Sequence, residues 1–192
     1  MTLEVHLDVS HTPIEHSPAV DAAVCGVGLD ERPLRGPAGR LDWRLCGLLS
    51  RYLIRERYTG QLGEDMLVTT VRRLPFQGVF LFGLGRTGEI DASLARQLSA
   101  RAAGVLLKAN VGSAVLGIWD LTRERITFEE GLESFLIGCS RAVAHGARCE
   151  SLQLRLLSRN ASETGRMTHF IDQRIAKAGP EGVRLARVNG DG

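Results

Sequence analysis

The sequence predicts an α/β protein of three layers: a mixed, largely parallel sheet flanked by helices. Three observations lead there. Two short runs, "VDAAVCGV" (20–27) and "VFLFGL" (79–84), are apolar almost throughout, as suits strands covered on both faces. Between such runs lie segments with apolar residues at helical spacing, several opened by a capping residue. Strand-like and helix-like segments alternate over most of the 192 residues, and helices layered on a sheet are the natural packing of that order.

Taken in order, Leu3, Val5, Leu7 and Val9 alternate with polar residues, which reads as a half-exposed strand. Residues 20–27 follow as a buried strand, and 28–39, rich in Gly and Pro, as a loop. A helix is expected from Asp42, with Trp43, Cys46, Leu49, Leu53 and Ile54 on its buried face. Strands are expected at 66–71 and 79–84. Asp91 caps a second helix bearing Leu94, Leu98, Ala102 and Val105, weakened near its end by Gly104. A short buried strand is expected at 114–119. Thr127 and Glu130 have capping-box spacing and open a helix burying Leu132, Phe135, Leu136, Cys139 and Val143. The alternating strand 152–157 precedes a helix capped by Ser162 and carrying Met167, Phe170, Ile171 and Ile175. Gly179-Pro180 stops it, and 183–188 fits either a strand or a helix. The alternating strands at the two ends of the chain are expected at sheet edges.

A chain of this size, 44% apolar, can bury about 70% of its unfolded surface as one domain. The expected organisation is a body over 1–158 with a C-terminal helical appendage, 159–192, packed on it. The net charge is +2, and the basic residues are 22 Arg and two Lys (Lys108, Lys177), dispersed along the chain. That pattern suits a GC-rich genome and argues against a nucleic-acid footprint. The N-terminus lacks the basic start and apolar core of a signal peptide, and no run approaches a membrane span. A soluble, cytoplasmic protein is expected. Cys25, Cys46, Cys139 and Cys149 form no C-x-x-C pair, and each lies in or beside an apolar segment. They read as small buried thiols in a reducing compartment.

Residues 83–88, G-L-G-R-T-G, have the spacing of a dinucleotide fingerprint, in which an acid about 20 residues on would hold the ribose. The acid after the next strand, Asp120, stands 32 residues past Gly88. A helix beginning at Asp91 would also place a carboxylate where a pyrophosphate belongs. These glycines therefore read as a strand-to-helix turn. No Walker-type loop and no G-x-S-x-G elbow is present. Cys139 and His145 are six apart, so they do not share a helix face. His6, His11 and His16, with Glu4, Asp8 and Glu15 nearby, are the best local approach to a metal set. Their spacing crosses a strand and a Pro-containing loop, so they read as solvated, and no cofactor is expected.

"DERPLRGPAGRLDWRLCGLLSRYL" (30–53), "LPFQGVFLFGLG" (74–85) and "ITFEEGLESFLIGCSRA" (126–142) together resemble the N-terminal domain of leucyl (cytosol) aminopeptidases, over roughly 18–158. The resemblance implies a macro-domain-like fold. It also implies that the family's chemistry lies elsewhere, in a second domain holding two divalent metals, of which this chain shows no trace. The end, 181–192, resembles the start of the linker into that domain. The macro-like likeness further implies a ligand cleft whose tentative rim is Asp21, Gly36, Gly39, Gly83 and Gly85. Asp21 would meet an adenine or simply hydrogen-bond a neighbouring loop. Cys25-Gly26 stands where Asn is expected, and the charged stretch 120–131 stands where a glycine-rich phosphate loop is expected.

Three functions follow as expectations. The first is a non-catalytic stand-alone module acting in protein–protein assembly or regulation, as a homo-oligomer or with a protein partner. The second is nucleotide or ADP-ribose-like binding in the degenerate cleft. The third is a subunit of an aminopeptidase whose catalytic part is encoded separately. DNA binding, known in the family, finds little support in this charge pattern.

Overall fold

The protein is described from a computed structural model covering residues 2–17, 20–117, 125–177 and 179–188. Among the described residues seven strands form one sheet: β1 (Leu3–Ser10), β2 (Ala22–Val27), β3 (Asp65–Thr69), β4 (Gly78–Gly83), β5 (Ser113–Leu116), β6 (Ser151–Leu157) and β7 (Val183–Arg187). Their spatial order is β3-β4-β2-β5-β6-β1-β7. Only β3 runs antiparallel to its neighbour; the other pairings are parallel. The helices are α1 (Gly36–Arg44), α2 (Leu48–Ile54), α3 (Ala92–Lys108), α4 (Phe128–Ala144) and α5 (Ala161–Ile175). The mixed three-layer fold expected from the sequence is the one observed.

The two helical layers are unequal. On one face α3, α4 and α5 cover the sheet from β4 to β7. There Leu106, Phe135, Leu136, Met167 and Ile171 share a core with Leu3, Leu7, Phe82, Leu116 and Leu154 of the strands. On the other face α1 and α2 cover only the β2–β4 half, where Ala38, Leu41, Leu45, Leu49 and Leu53 meet Ala23, Cys25, Val79 and Leu81. This inequality explains a departure from the sequence reading. The alternating strands β1 and β6 are not edges; they pair with each other, and β7 lies outside β1. Their alternation records a bare second face, on which Glu4, His6, Asp8, Gln153 and Arg155 remain partly exposed. The edges are β3 and β7. The ambiguous stretch 183–188 is thereby a strand, and the last segment of the chain adds to the sheet as well as to the helical layer.

The helix expected from Asp42 is two helices. Cys46 and Gly47 both adopt left-handed backbone (φ 56° and 74°), which ends α1 and starts α2. Asp42 does act as a cap, but across this break: its carboxylate accepts from Leu49 N (2.8 Å), Ser50 N (3.1 Å) and Ser50 Oγ (2.5 Å). The break also rotates the buried stripe to Leu41, Leu45, Leu49 and Leu53. Trp43 and Ile54, expected inside, are 83% and 79% exposed, and Cys46 is exposed while the other three thiols are buried. The Asp91 cap on Leu94 N and the Thr127–Glu130 capping box form as expected. The last helix is capped two residues earlier than expected, by Asn160 and not Ser162. Ile118 and Trp119 of the expected fifth strand lie outside the described residues.

Helices α3 and α4 pack face to face, and at Gly138 their backbones nearly touch. A Cβ there would stand 2.2 Å from the Ala100 carbonyl oxygen. Gly138→Ala is therefore expected to destabilise by about 1–3 kcal/mol, the usual range for overpacking. Gly104, mid-helix with open space around it, should respond oppositely. Gly104→Ala is expected to add about 0.5–1 kcal/mol through helix propensity. Urea unfolding of the two variants, moving in opposite directions from wild type, checks both.

Candidate functional site

In a parallel α/β sheet the place for a ligand is the carboxyl end of the strands, where connections diverge to either side. Here the chain leaves β2 toward β4 on one side and later returns past β2 to β5 on the other. Two described loops thus meet there: 28–35 after β2 and 84–91 after β4. A third, 55–64, leads into β3.

The first half of this region is filled by the chain itself. Glu31, only 8% exposed, turns its carboxylate inward, where it accepts from Gly28 N (3.3 Å) and from Arg35 N (3.0 Å) at the start of α1. Burial pushes this carboxyl up from its ordinary value, against the pull of the two N–H groups and of Arg35 and Arg32. The Arg32 guanidinium donates to the carbonyls of Gly28 (3.1 Å), Glu31 (2.7 Å) and Thr59 (3.0 Å), tying the loops together. Asp30 accepts from Thr87 N (2.9 Å), which chiefly holds its carboxyl below the ordinary value.

The second filled cradle lies beside it. One oxygen of Glu64 accepts from Thr59 N (2.8 Å), Thr59 Oγ1 (2.8 Å), Gly60 N (2.9 Å) and Gln61 N (3.3 Å). Successive backbone N–H groups on one anion form a nest of the kind that elsewhere takes a phosphate. Desolvation pushes the Glu64 carboxyl up, but the donors together outweigh it and hold it below its ordinary value.

The sequence-derived rim residues divide accordingly. Gly83 and Gly85 lie where β4 meets these loops: a Cβ on Gly83 would stand 1.9 Å from the Gln61 carbonyl oxygen, and Gly85 is left-handed (φ 69°) with its carbonyl accepting from Leu29 N. Gly36 (φ 52°) opens α1, and Gly39 lets that helix pass the Leu34 carbonyl, which a Cβ would meet at 2.6 Å. Gly83 and Gly39 permit close packing of chain on chain, and Gly36 and Gly85 supply left-handed backbone. Asp21 is at the opposite, amino end of β2, so it does not share a rim with them. Its carboxylate accepts from Gly112 N (3.0 Å) and Ser113 N (2.8 Å), fastening the start of β5.

The turn 83–88 leads through a short 3₁₀ segment, Thr87–Glu89, into α3 at Ala92, so no helix starts on its last glycine. His6 lies near Glu4 (3.5 Å) on the bare sheet face, while His16 contacts Arg44 (3.0 Å). Among the described residues no three His, Cys, Asp or Glu side chains converge as a metal-ligand set. Residues 120–124 of the expected phosphate loop lie outside the described residues.

The open part of the region is a cleft of about 300 Å³ between the starts of α4 and α5. Ile126, Leu157 and Met167 supply apolar lining, and Glu129, Glu163, Arg159 and Arg166 supply balanced charge. The sequence marked this place only indirectly, through the Thr127 cap. Glu31 and Glu64 carried no local signal, because their donors come from loop conformation.

Residues 24–143 match the family model described as the cytosol aminopeptidase family, N-terminal domain. A probable cytosol aminopeptidase of Geobacter sp. (strain M21) is 31% identical over 117 residues, covering 59% of this chain and 22% of that protein. One from Geotalea uraniireducens (strain Rf4) is 32% identical over 100 residues, 51% of this chain and 20% of its own length. The chain thus spans about a fifth of these relatives. Among solved structures, a Trypanosoma brucei macrodomain superposes with a TM-score of 0.64 at 15% identity, covering 86% of this chain and 67% of that one. At such identity the likeness is one of fold.

The Glu64 cradle makes a prediction about acid stability. Its carboxyl titrates lower in the folded chain than the ordinary 4.5. Its contribution is therefore complete above that value and lost as the pH falls through the lower folded value. Glu64→Gln is expected to lower the urea midpoint at neutral pH and to flatten the fall between about pH 5 and 3. Parallel pH profiles for variant and wild type would refute this role. Glu31, shifted the other way, is present in both chains and drops out of the difference.

Proposed function

We propose, for a chain that belongs to the cytosol aminopeptidase family through its N-terminal domain, that it serves as a non-catalytic assembly module. One observation carries this reading: Trp43 stands 83% exposed on α1, beside a groove lined by Gly39, Asp42, Cys46 and Gly47. A solvated tryptophan is a poor use of a large apolar ring and a frequent anchor of protein interfaces. Two further facts support it. The cradles that could hold an anion in a macro-like fold are filled by Glu31 and Glu64. The family match covers the N-terminal domain alone, and the whole relatives' peptidase activity requires groups that this reading assigns to another polypeptide. Four cysteines with no C-x-x-C pair suit work in a reducing compartment, and we propose the cytoplasm.

The partner is a second copy or a family catalytic domain supplied separately. Light scattering of the purified chain, alone and mixed with such a domain, should show species larger than the monomer. Trp43→Ser should weaken at least one of them tenfold or more while leaving the fold intact. Monomer under both conditions would remove the reading. The chain alone is expected to release no p-nitroaniline from leucyl-p-nitroanilide with added Mn²⁺ or Zn²⁺.

A second reading rests on the cleft between α4 and α5, where Arg159 and Arg166, beside Glu129 and Glu163 and an apolar lining, offer contacts to both the flat ring and the phosphates of a nucleotide or ADP-ribose. At 100 times its dissociation constant such a ligand would add about 2.7 kcal/mol of stability. A thermal-shift series with ADP-ribose, ADP and NAD tests it. A rise lost in Arg166→Ala would support it, and a flat series would remove it.

A further inference from the structure

We propose that two copies of this chain join through β3, forming one continuous sheet across a two-fold axis at Leu67. The inference deepens the assembly reading and rests on it. Its starting point is backbone geometry. Gly83 N donates to Glu64 O (2.7 Å) and Thr70 N donates to Gln77 O (3.0 Å). In an antiparallel ladder hydrogen-bonded residues alternate. With the register Asp65↔Phe82 through Thr69↔Gly78 unbroken, residues 64, 66, 68 and 70 face β4. The N–H and C=O groups of Asp65, Leu67 and Thr69 therefore point away from the sheet, and β3 is its terminal strand.

Natural sheets blunt such an edge with charged side chains, Pro or a bulge. The opposite edge follows that rule, with Arg184 and Arg187 among the five residues of β7. The β3 sequence Asp-Met-Leu-Val-Thr has no Pro and no Lys, and its pairing with β4 has no bulge. Its one charge, Asp65, is already paired with Arg101 at 2.9 Å.

Charge and symmetry select the occupant and the register. Two antiparallel copies centred on Leu67 set Leu67 against Leu67, Met66 against Val68, and Asp65 against Thr69. Each outward-facing pair then exchanges two hydrogen bonds, and no like charges oppose one another. Centring on Asp65 would set two carboxylates face to face, and centring on Thr69 would run off the strand. The same patch serves both partners, as an isologous interface requires. Leu67 is 55% exposed in the single chain, with Leu62 (54%) and Val71 (76%) exposed at either end of the strand. Pairing puts the two Leu67 side chains in contact on one face and leaves Met66 and Val68 on the side of α2.

The test uses the full chain. Wild type should run as a dimer by light scattering at micromolar to submillimolar concentration. Thr69→Pro removes an outward donor without touching the β4 ladder, and Leu67→Lys brings two ammonium groups together on the axis. Each should shift the dimer to monomer with an unchanged circular-dichroism spectrum, whereas Ile137→Lys, at an exposed site on α4, should not. A dimer that survives both edge variants overturns the edge pairing and leaves the assembly reading standing. A monomeric wild type also overturns it, while a complex with a catalytic domain would still preserve the assembly reading. Should both edge variants lose their fold, Leu67→Cys in a Cys46→Ser background decides. Facing α-carbons in a hydrogen-bonded pair stand about 5.5 Å apart, within disulfide range. Covalent dimer on mild oxidation is expected, and its absence overturns the proposal.

Discussion

Backbone N–H groups that are taken out of water must find an acceptor, and this constraint organises the carboxyl end of the sheet. The parallel pairing of β2 with β4 brings loops 28–35, 55–64 and 84–91 together above the strand ends. Their crowded N–H groups form concavities that draw negative charge. This chain supplies the charge from within. Glu31 closes one concavity and Glu64 the other, and Arg32 offsets them by holding three carbonyls. The glycines of the G-L-G-R-T-G turn belong to the same device: without a Cβ at Gly83, the Gln61 carbonyl can lie against β4. The loops at this end of the sheet are thus tied to one another by carboxylate and guanidinium hydrogen bonds.

The unequal helical layers have the complementary effect on the outside. Three helices on one face build the larger core, and two short helices cover only part of the other. The shortness of α1 and α2 follows from the left-handed pair Cys46-Gly47, and Asp42 stabilises the break by capping α2 from within α1. That break turns Leu45 and Leu49 inward and leaves Trp43 and Ile54 outside. The exposed apolar groups of this layer are therefore a consequence of how it is built. Strands β2 and β4 carry both α1–α2 and the β3 edge, so one half of the sheet supports both candidate contact surfaces.

Most of the fold was legible because it rests on local pattern. The apolar runs of β2 and β4 and the caps at Asp91 and Thr127 need nothing beyond a few neighbouring residues. What was not legible depends on partners distant in sequence. Alternation in β1 reports a bare face, and nothing in those eight residues distinguishes a bare face from a sheet edge. A helical period through 42–54 continues smoothly across Cys46-Gly47, although the backbone reverses hand there. Asn160 and Ser162 are both good cap residues, and it is Asn160 Oδ1 that accepts from Glu163 N. For the site, the glycines were visible but their purpose was not: glycine for a ligand's approach and glycine for another loop's approach look the same. Glu31 and Glu64 were two among 22 acidic residues until the loops folded around them.

Family membership and geometry together narrow the chemistry that this domain can do. A carboxylate buried on N–H groups is hard to displace, because an incoming phosphate would have to expel a like charge and leave it without its donors. On this reasoning the filled cradles disfavour an anion at the ends of β2 and β4. The cleft between α4 and α5 is lined by charges of both signs, Arg159 and Arg166 beside Glu129 and Glu163. A molecule binding there would reach only the half of the macro-like surface beyond β5. The same carboxylates that close the first half also stiffen loops 28–35 and 55–64, which flank α1, α2 and the approach to β3. Rigid flanks lower the entropy lost when a surface is covered. On the proposed assembly reading, one set of hydrogen bonds would both fill the cradles at the ends of β2 and β4 and order the loops that flank α1, α2 and β3.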